Sequence, residues 1–504
     1  MKKGLILFFL FSLIKVVAQP TTFIKRIVPD STFYGASTAL LLENEDIYVG
    51  IGIACNTACS KVVKFDKFGN ENWNKFLENF NCSNRNWLHL SKDTLLSIGY
   101  KQSSQDREFN FLKINRKNGD RFSKTAINLT NQTILRPVSH GSLIVDNNLL
   151  IYGWMNMPDD TAVGIIQWYD LSKDSIGSFK TYRTPKNKYN DVEDLQKGYD
   201  GNLHYISFNR QKYTNGNIDS RRITTISPTG DILRSFDYHH DNEGIYFPMS
   251  LAIFKNNDYV FNAWQPDSIF DGGGTVQLVR TTDIGKPLWT YNWPSFFVGE
   301  KAVYLVGDLK VTSNGDIIGC GYVQPPGFYD GYIFRMSGDG KMLWERRINI
   351  KDNLDDNFDI FAFTCLDEDS QGNIVVAGEY RNSFYKDQNG VLVKLDANGC
   401  IEGYGCSGRI VLDKFTVSTE DLSQKEDNFG IYPNPVAFLL HIDCIDPSLE
   451  YHIRLYDCLG REILSQSHQQ GNISIDCSAL PNGWYSLRIL DNKGRLLHSQ
   501  KVVK

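Results

Sequence analysis

The amino-acid sequence predicts an all-β protein made of a long repetitive body and a small C-terminal domain. Three observations support this fold class. A turn followed by an apolar run recurs seven times, aromatic side chains make up 13% of the 504 residues, and the apolar positions show no helical period. Aromatic and β-branched side chains suit a pleated, half-buried surface, so composition and pattern agree.

Residues 1 to 18 show the pattern of a signal peptide. Lys2 and Lys3 form a positive start, an apolar run follows, and the small residues Val16 and Ala18 supply a cleavage pattern. The apolar run is shorter than the ~20 residues that a membrane helix needs. We therefore expect Sec-dependent export to the periplasm and a mature protein without a transmembrane segment.

The body, residues 19 to 417, repeats a polar turn followed by an apolar strand. The copies begin 48 to 58 residues apart, at the long end of the ~40 to 50 residues typical of propeller and kelch repeats. The seven copies are residues 45–50, 93–100, 147–154, 201–206, 257–261, 315–322 and 372–378. The repeat therefore predicts a series of similar sheets.

Each copy is followed by a strand, a glycine turn and, in most copies, another strand. In three copies a tryptophan stands four residues after the turn glycine: Gly69 and Trp73, Gly285 and Trp289, Gly340 and Trp344. A further apolar run precedes each copy, so each unit holds about four strands, as a propeller blade does. The pattern predicts a seven-bladed β-propeller; a β-sandwich joined to a partial propeller is the alternative.

The two ends of the body predict how the ring closes. Residues 23 to 27 resemble residues 344 to 348, the last strand of the sixth unit, and the seventh unit lacks a clear fourth strand after Gly399. We therefore predict that the N-terminal strand completes the last blade. Closure removes two exposed strand edges, which otherwise favour aggregation.

Ten cysteines are present, and export permits disulfides. Two pairs lie close in sequence and are candidate disulfides: Cys55 with Cys59, and Cys400 with Cys406. Cys320 and Cys365, in neighbouring repeats, are a further candidate pair. Buried free thiols are the alternative for all of them, and no second Cys or His pair stands at zinc-ribbon distance from the first pair. We expect disulfides rather than a metal site.

The tail begins with a polar, charged linker at residues 418 to 428 and continues as a compact domain over residues 429 to 504. Apolar and polar residues alternate along its predicted strands, which is typical of half-buried strands. The alternation predicts a small β-sandwich.

Four motifs follow one another in this domain: Tyr432, Pro433, Asn434 and Pro435; Asp457, Gly460 and Arg461; Leu480, Gly483 and Tyr485; Lys501 and Lys504. In order and spacing they resemble the type A C-terminal sorting domain of type IX secretion in Bacteroidetes, an immunoglobulin-like sandwich. The resemblance implies recognition by the outer-membrane translocon and removal by a surface sortase. The product would then be released or attached to lipopolysaccharide at the cell surface. Cys444, Cys458 and Cys477 depart from the family pattern, and Cys477 predicts a buried thiol.

The body shows no standard catalytic signature. H-E-x-x-H, G-x-S-x-G, a Walker loop and G-x-G-x-x-G after a strand are all missing from the sequence, and we predict no catalytic residue, cofactor or metal ligand. The net charge of -5 argues against a nucleic-acid partner, which requires a basic face.

Three groups of residues have side chains suited to chemistry or binding. His239 and His240 beside Asp237, and the acidic groups around Asp367 and Asp369, are predicted to be solvated loops and turns. Exposed aromatic residues offer a ligand-binding face: Trp154, Trp264, Tyr322, Phe328 and Tyr329. The alternative for Trp154, Trp264 and Tyr322 is packing between blades.

The preferred functional hypothesis is a secreted or cell-surface propeller that binds a glycan or protein ligand. One alternative is a secreted enzyme that degrades polysaccharide or protein. The other is a structural component of the cell envelope. Because fold does not determine function, the repeat pattern does not separate these three hypotheses.

Overall fold

The structure is a computed structural model that consists of strands and turns, and it divides into two compact units, Met1–Leu412 and Asp413–Lys504. It describes residues 22–27, 38–43, 45–53, 59–78, 88–91, 93–102, 107–128, 135–157, 161–183, 187–213, 216–239, 250–266, 274–293, 296–297, 300–301, 303–324, 329–351, 360–381, 388–406, 408–413, 429–444, 448–457, 461–491 and 496–504. No helix occurs within these ranges. The predicted all-β class is therefore confirmed.

The strands of the first unit follow one another at short intervals. In chain order they are β1 (Phe23–Ile27), β2 (Thr38–Glu43), β3 (Asp46–Ile53), β4 (Cys59–Phe65), β5 (Glu71–Glu78), β6 (Leu88–Ser91), β7 (Thr94–Gln102), β8 (Arg107–Asn115), β9 (Arg121–Asn128), β10 (Leu135–Val145), β11 (Asn148–Asn156), β12 (Ala162–Asp170), β13 (Ser175–Tyr182), β14 (Asn187–Lys197), β15 (Leu203–Tyr213), β16 (Gly216–Ile226), β17 (Ile232–His239), β18 (Leu251–Ile253), β19 (Tyr259–Pro266), β20 (Gly274–Thr281), β21 (Pro287–Asn292), β22 (Phe296–Phe297), β23 (Glu300–Lys301), β24 (Val303–Val311), β25 (Ile317–Gln324), β26 (Asp330–Met336), β27 (Met342–Lys351), β28 (Ile360–Glu368), β29 (Ile374–Arg381), β30 (Gln388–Leu395) and β31 (Arg409–Asp413).

Most of these strands form antiparallel meanders of four, such as β2-β3-β4-β5, β6-β7-β8-β9 and β18-β19-β20-β21. Two meanders, β10 to β13 and β14 to β17, are joined into one sheet by a single parallel pairing between Ala162 and Tyr189. A short hairpin, β22-β23, stands apart from the repeat. Each glycine turn of the repeat therefore connects neighbouring antiparallel strands, as hairpin geometry favours.

The N-terminal strand lies in the sheet formed by the last strands of the body. β1 pairs antiparallel with β30, from Phe23 opposite Lys394 to Ile27 opposite Gly390, so the sheet order is β1-β30-β29-β28. Among the described residues that follow β30, none adds a strand to this sheet, and β31 joins the preceding sheet beside β27. The last and first sheets share an apolar core that includes Phe23, Leu40 and Leu392.

Bulges in the first strand of several sheets explain the glycine that recurs in the second strand. In β24 the register shifts between Val306 and Asp308, and a Cβ added at Gly321 of β25 would lie 1.9 Å from the Leu305 carbonyl oxygen. The same arrangement recurs at Gly378 in the last sheet, where an added Cβ would lie 2.1 Å from a carbonyl oxygen. The bulge brings two backbones too close for a side chain.

The second unit contains two sheets that share one apolar core. Its strands are β32 (Phe429–Tyr432), β33 (Leu439–Cys444), β34 (Glu450–Tyr456), β35 (Glu462–Gln470), β36 (Ile473–Asp476), β37 (Trp484–Leu490) and β38 (Leu496–Val503). The sheet orders are β32-β33-β36 and β35-β34-β37-β38. Alternate residues such as Tyr451, Ile453 and Leu455 are fully buried, as the period-two pattern predicts.

The cysteines include one of the candidate disulfides and several buried thiols. Cys400 and Cys406 form a disulfide, while Cys55 and the side chain of Cys59 lie outside the described residues. Cys320 and Cys365, the further candidate pair, are both buried and form no disulfide, which corresponds to the alternative of buried thiols. Cys365 faces the core between the last and first sheets, and its thiol approaches the Ala377 carbonyl oxygen of its own sheet at 3.8 Å. Cys444 and Cys477 are also buried and form no disulfide.

Candidate functional site

The end of the chain and the proline motif of the tail meet at one corner of the second unit. The Val503 N–H donates to the Asn434 Oδ1 at 2.9 Å, and the Val436 N–H donates to the Val503 carbonyl oxygen at 2.7 Å. The peptide bonds before Pro433 and Pro435 are cis. The first and last sequence motifs are therefore in direct contact, although they stand at opposite ends of the domain.

A third motif joins the same corner through the C-terminal residue. Lys504 and Gly483 exchange two backbone hydrogen bonds, at 2.8 Å and 3.1 Å. The Lys504 ammonium donates to the Ala437 carbonyl oxygen and lies 5.6 Å from the centroid of the Phe438 ring. Phe438 is 70% exposed, so the corner presents a cation and an aromatic ring to solvent.

The remaining described motif residues stabilise turns of the domain. The Asp457 carboxylate accepts from the Arg461 backbone N–H at 2.9 Å and from its Nε at 2.7 Å. The Tyr485 hydroxyl donates to the Pro481 carbonyl oxygen at 2.7 Å, and the Leu480 N–H donates to the Cys477 carbonyl oxygen. Gly460 and the side chain of Lys501 lie outside the described residues.

Tyr432 links the start of the domain to its second strand. Its hydroxyl donates to the Asp443 carboxylate at 2.7 Å, and this hydrogen bond raises the pKa of Tyr432 above the usual phenol range. The four residues 432 to 435 are exposed. This exposed segment is held to Val503 through the hydrogen bond that Asn434 accepts.

Two acidic residues of the body that are candidates for catalysis or metal binding, Asp367 and Asp369, form ion pairs. Asp367 pairs with Lys310, and Asp369 pairs with Lys394 at 2.9 Å. Burial raises the pKa of Asp369, but hydrogen bonds from Asn373 and Lys394 outweigh burial and leave the pKa below its usual value.

Asp237 is likewise occupied, because its carboxylate accepts two hydrogen bonds from Arg222, each at 2.7 Å. The side chain of His239, and all of His240, lie outside the described residues. The structure therefore assigns Asp237 to an Arg–carboxylate pair within one sheet, a geometry that suits bidentate hydrogen bonding.

The five aromatic residues considered for ligand binding lie in different surroundings. The rings of Tyr322 and Tyr329 pack against each other with centroids 5.4 Å apart, and Tyr329 forms a β-bridge with Ile360 of the next sheet. Trp154 is half-buried, while Phe328 and the side chain of Trp264 lie outside the described residues. Tyr322 thus packs at the contact between two sheets.

Sequence reasoning missed a cluster of three potential metal ligands on β10 and β14. His140, Asp191 and Glu193 bring one ligand atom each to within 4.8 Å of one another. The two carboxylates lie two residues apart on one strand, but the histidine stands about fifty residues earlier. No local spacing motif connects them, so only the pairing of sheets brings them together.

The fold and the tail together define a secreted or cell-surface protein with an all-β body. Residues 430–504 match the model of the secretion system C-terminal sorting domain family, which confirms the resemblance seen in the tail motifs. The tail indicates interaction with the type IX secretion system. Among the described residues, no helix has the length and apolarity needed to cross a membrane. No curated protein sequence matches the chain.

Several solved structures resemble the chain at low sequence identity. PorZ, an essential surface component of the type IX secretion system of Porphyromonas gingivalis, is 11% identical with a TM-score of 0.37, over 92% of this chain and 58% of PorZ. The chain thus spans 58% of the length of PorZ. The β-propeller domain of the Trilobed protease from Pyrococcus furiosus is 11% identical with a TM-score of 0.39, over 70% of this chain and 93% of that domain. An α-L-arabinanase from Penicillium chrysogenum is 12% identical with a TM-score of 0.41, over 59% of this chain and 92% of that enzyme.

Proposed function

We propose that this protein is a secreted or surface-attached β-propeller that binds a glycan or protein ligand and is exported through the type IX secretion system. Residues 1 to 18 act as the signal peptide, and residues 429 to 504 act as an immunoglobulin-like sorting sandwich after a linker. The translocon and the surface sortase are its export partners. In this proposal the four-stranded units of the body form seven blades, and the pairing of β1 with β30 supports closure by the N-terminal strand.

The observation that carries the binding role is the pairing of the acidic side chains. Asp237, Asp367 and Asp369 each contact a lysine or arginine at ion-pair distance. A glycosidase needs two carboxyl groups that face the same bond, whereas each of these three carboxylates contacts its own lysine or arginine. The ion pairs of these three residues therefore stabilise the sheets. This use of the carboxylates supports a binding role over hydrolysis.

A groove in the body offers the surface for a ligand. It has a volume of about 760 Å³ and combines an indole, an apolar side chain and charged groups: Asp316, Arg335, Leu343, Trp344, Glu345 and Asn398 line it. Ligand sites of this size place a few polar groups around an apolar wall. The mixture fits a sugar chain or a short polar peptide.

Binding can be tested by screening the purified protein against glycan and protein arrays. The Leu343→Ser variant should weaken binding of any ligand found, because Leu343 is 47% exposed and lines the groove. Leu288→Ser is the matched control, since Leu288 also precedes a tryptophan and is also 47% exposed. Blank arrays together with cleavage of a polysaccharide or protein substrate would show that the body is an enzyme.

Export can be tested by deleting residues 429 to 504 in the native host. The truncated protein should accumulate in the periplasm, because it lacks the sorting domain that residues 430–504 form. Circular dichroism of the periplasmic product checks that the body has folded. Normal delivery of the folded truncation to the surface would overturn the sorting role while leaving the binding role untouched.

A further inference from the structure

The cluster on β10 and β14 joins an imidazole to two buried carboxylates. His140 Nε2 lies 2.9 Å from Asp191 Oδ2, and the ligand atoms of His140, Asp191 and Glu193 all lie within 4.8 Å of one another. Asp191 is fully buried and Glu193 is 8% exposed, whereas the side chain of His140 is 25% exposed. The cluster is therefore enclosed on the carboxylate side and reaches solvent at the histidine.

Two β-bulges produce this convergence. The pairing of β10 with β11 skips His140 between Ser139 and Gly141, and the pairing of β14 with β15 skips Glu193 between Val192 and Asp194. A bulge turns the strand locally and redirects the side chain of the extra residue. Both redirected side chains, His140 and Glu193, belong to the cluster.

The corresponding bulges in two other sheets carry different side chains. The skipped residue is Gly307 in β24 and Thr364 in β28. Neither residue supplies an imidazole or a carboxylate, although the backbone makes the same register shift. The bulge therefore does not require a histidine or a glutamate, and their presence at His140 and Glu193 calls for another explanation.

The chemistry of the three side chains matches a divalent cation. Two carboxylates placed together in a buried site repel each other, and a cation offsets that repulsion. Bonds of ~2.0 to 2.2 Å from imidazole nitrogen and carboxylate oxygen to a tetrahedral zinc ion place neighbouring ligand atoms ~3.4 Å apart, which small side-chain shifts can reach in a cluster no wider than 4.8 Å. Imidazole favours zinc and its first-row neighbours over calcium or magnesium.

We propose that His140, Asp191 and Glu193 bind a first-row divalent metal ion, with zinc as the reference ion. The site links the first strands of two adjacent meanders, so the metal clamps β10 to β14. Three protein ligands leave one position on the ion for water or a ligand group, and the partly exposed His140 lies on the solvent side. This inference is independent of the proposed ligand groove.

The proposal is tested by calorimetric titration of zinc into the full-length protein after treatment with a chelator. One zinc ion per chain should bind, and Asp191→Asn or His140→Ala should weaken binding by ~10-fold or more. Thr364→Ala is the matched control, because Thr364 occupies the equivalent bulge of another sheet, and it should leave zinc binding unchanged.

Further measurements keep the test decisive. Near-ultraviolet circular dichroism shows whether each variant is folded, and Glu193→Gln replaces Asp191→Asn if the latter does not fold. Saturating zinc should raise the melting temperature of the parent protein but not that of the His140→Ala variant. Zinc binding that survives both substitutions, or calcium binding that is equally tight, overturns the proposal. Failure of the parent protein to bind zinc identifies the cluster as an ordinary ion pair and likewise overturns it.

Discussion

The indole of Trp344 lies directly against Gly399 in the next sheet. Its Nε1–H donates to the Ala397 carbonyl oxygen at 3.0 Å, and a Cβ added at Gly399 would lie 2.7 Å from the indole Cδ2 atom. Gly399 has a φ of 75° and completes a turn in which the Asp396 carboxylate accepts from two backbone N–H groups. The Trp344 ring therefore links one sheet to the next by packing on Gly399 and donating a hydrogen bond to the Ala397 carbonyl oxygen.

The same contact recurs around the body with a tryptophan or phenylalanine as the ring. At five further turn glycines an added Cβ would lie 2.9 Å or less from a ring of the preceding meander: Trp73 on Gly119, Trp168 on Gly230, Phe236 on Gly285, Trp289 on Gly340 and Phe23 on Gly69. The last pair is notable because Phe23 belongs to β1 in the last sheet, while Gly69 belongs to the first. The recurring offset between turn glycine and tryptophan in the sequence reflects this contact.

Substitution of Gly399 should therefore destabilise the body through its neighbour as well as through its backbone. We expect Gly399→Ala to lower the free energy of unfolding by about 2 to 4 kcal/mol, because it combines positive φ with overlap of the indole. Gly315→Ala is the control, since Gly315 has a φ of 90° but an added Cβ there meets no atom within 4 Å. It should cost only about 1 kcal/mol. Urea unfolding measures both, and equal losses would show that the indole contact adds nothing.

The bulge glycines should tolerate substitution even less. An added Cβ at Gly321 would lie 1.9 Å from the Leu305 carbonyl oxygen, and a backbone atom moves away less easily than a side chain. We expect Gly321→Ala to lower the free energy of unfolding by about 4 kcal/mol or to prevent folding. Gly430→Ala is the control because its added Cβ would be 3.7 Å from the nearest atom. Thermal unfolding distinguishes the two, and a Gly321→Ala protein of parental stability would contradict the bulge geometry.

His204 should make the stability of the body depend on pH. Burial lowers the pKa of His204 below 6.5. The hydrogen bond and the charge of Asp200 raise this pKa, but they offset only part of the effect of burial. The His204 Nδ1 lies 2.9 Å from the Tyr259 hydroxyl oxygen. Because the folded pKa is lower than the unfolded one, the contribution of neutral His204 is complete above about pH 6.5 and declines as the pH falls below that value.

This dependence is measured as the difference between the parent protein and His204→Gln. Urea unfolding at pH 7.5 and at pH 5.5 gives the loss of stability for each protein. The parent should lose more than the variant, because only the parent must bind a proton at residue 204 on unfolding. Because both proteins share the other titrating groups, the effects of those groups cancel in the comparison. Equal losses of stability would show that His204 does not cause the pH dependence.

The disulfide between Cys400 and Cys406 should contribute modestly to stability. The bonded residues are only 6 apart in sequence, and a loop of this length stabilises by about 2 kcal/mol in the chain-entropy view. The loop also supplies the Gly405 carbonyl oxygen that accepts from the buried Arg346 at 3.0 Å. Reduction should lower the melting temperature of the parent, and the double Cys→Ser variant should not respond to reductant. If reduction leaves the melting temperature of the parent protein unchanged, the disulfide does not contribute to its stability.

The sequence by itself determined those features that arise from neighbouring residues. Turn glycines and alternating side chains predicted the all-β class because hairpins are local structures, and the spacing of Cys400 and Cys406 was short enough to suggest their disulfide. The tail motifs identified the sorting domain for the same reason, since each motif is a short contiguous segment. The meeting of Asn434, Gly483 and Lys504 at one corner was not evident from that spacing.

Only the tertiary structure decided contacts that depend on register and on which face of a sheet a side chain occupies. A shift of one residue moves a side chain to the opposite face, and the bulges beside His140 and Glu193 introduce such shifts. That is why the sequence did not bring His140, Asp191 and Glu193 together, and why it left Cys320 and Cys365 as a candidate pair although Cys365 faces the core shared by the last and first sheets. The sequence repeat shows where the sheets are. The packing of the sheets determines which side chains come into contact.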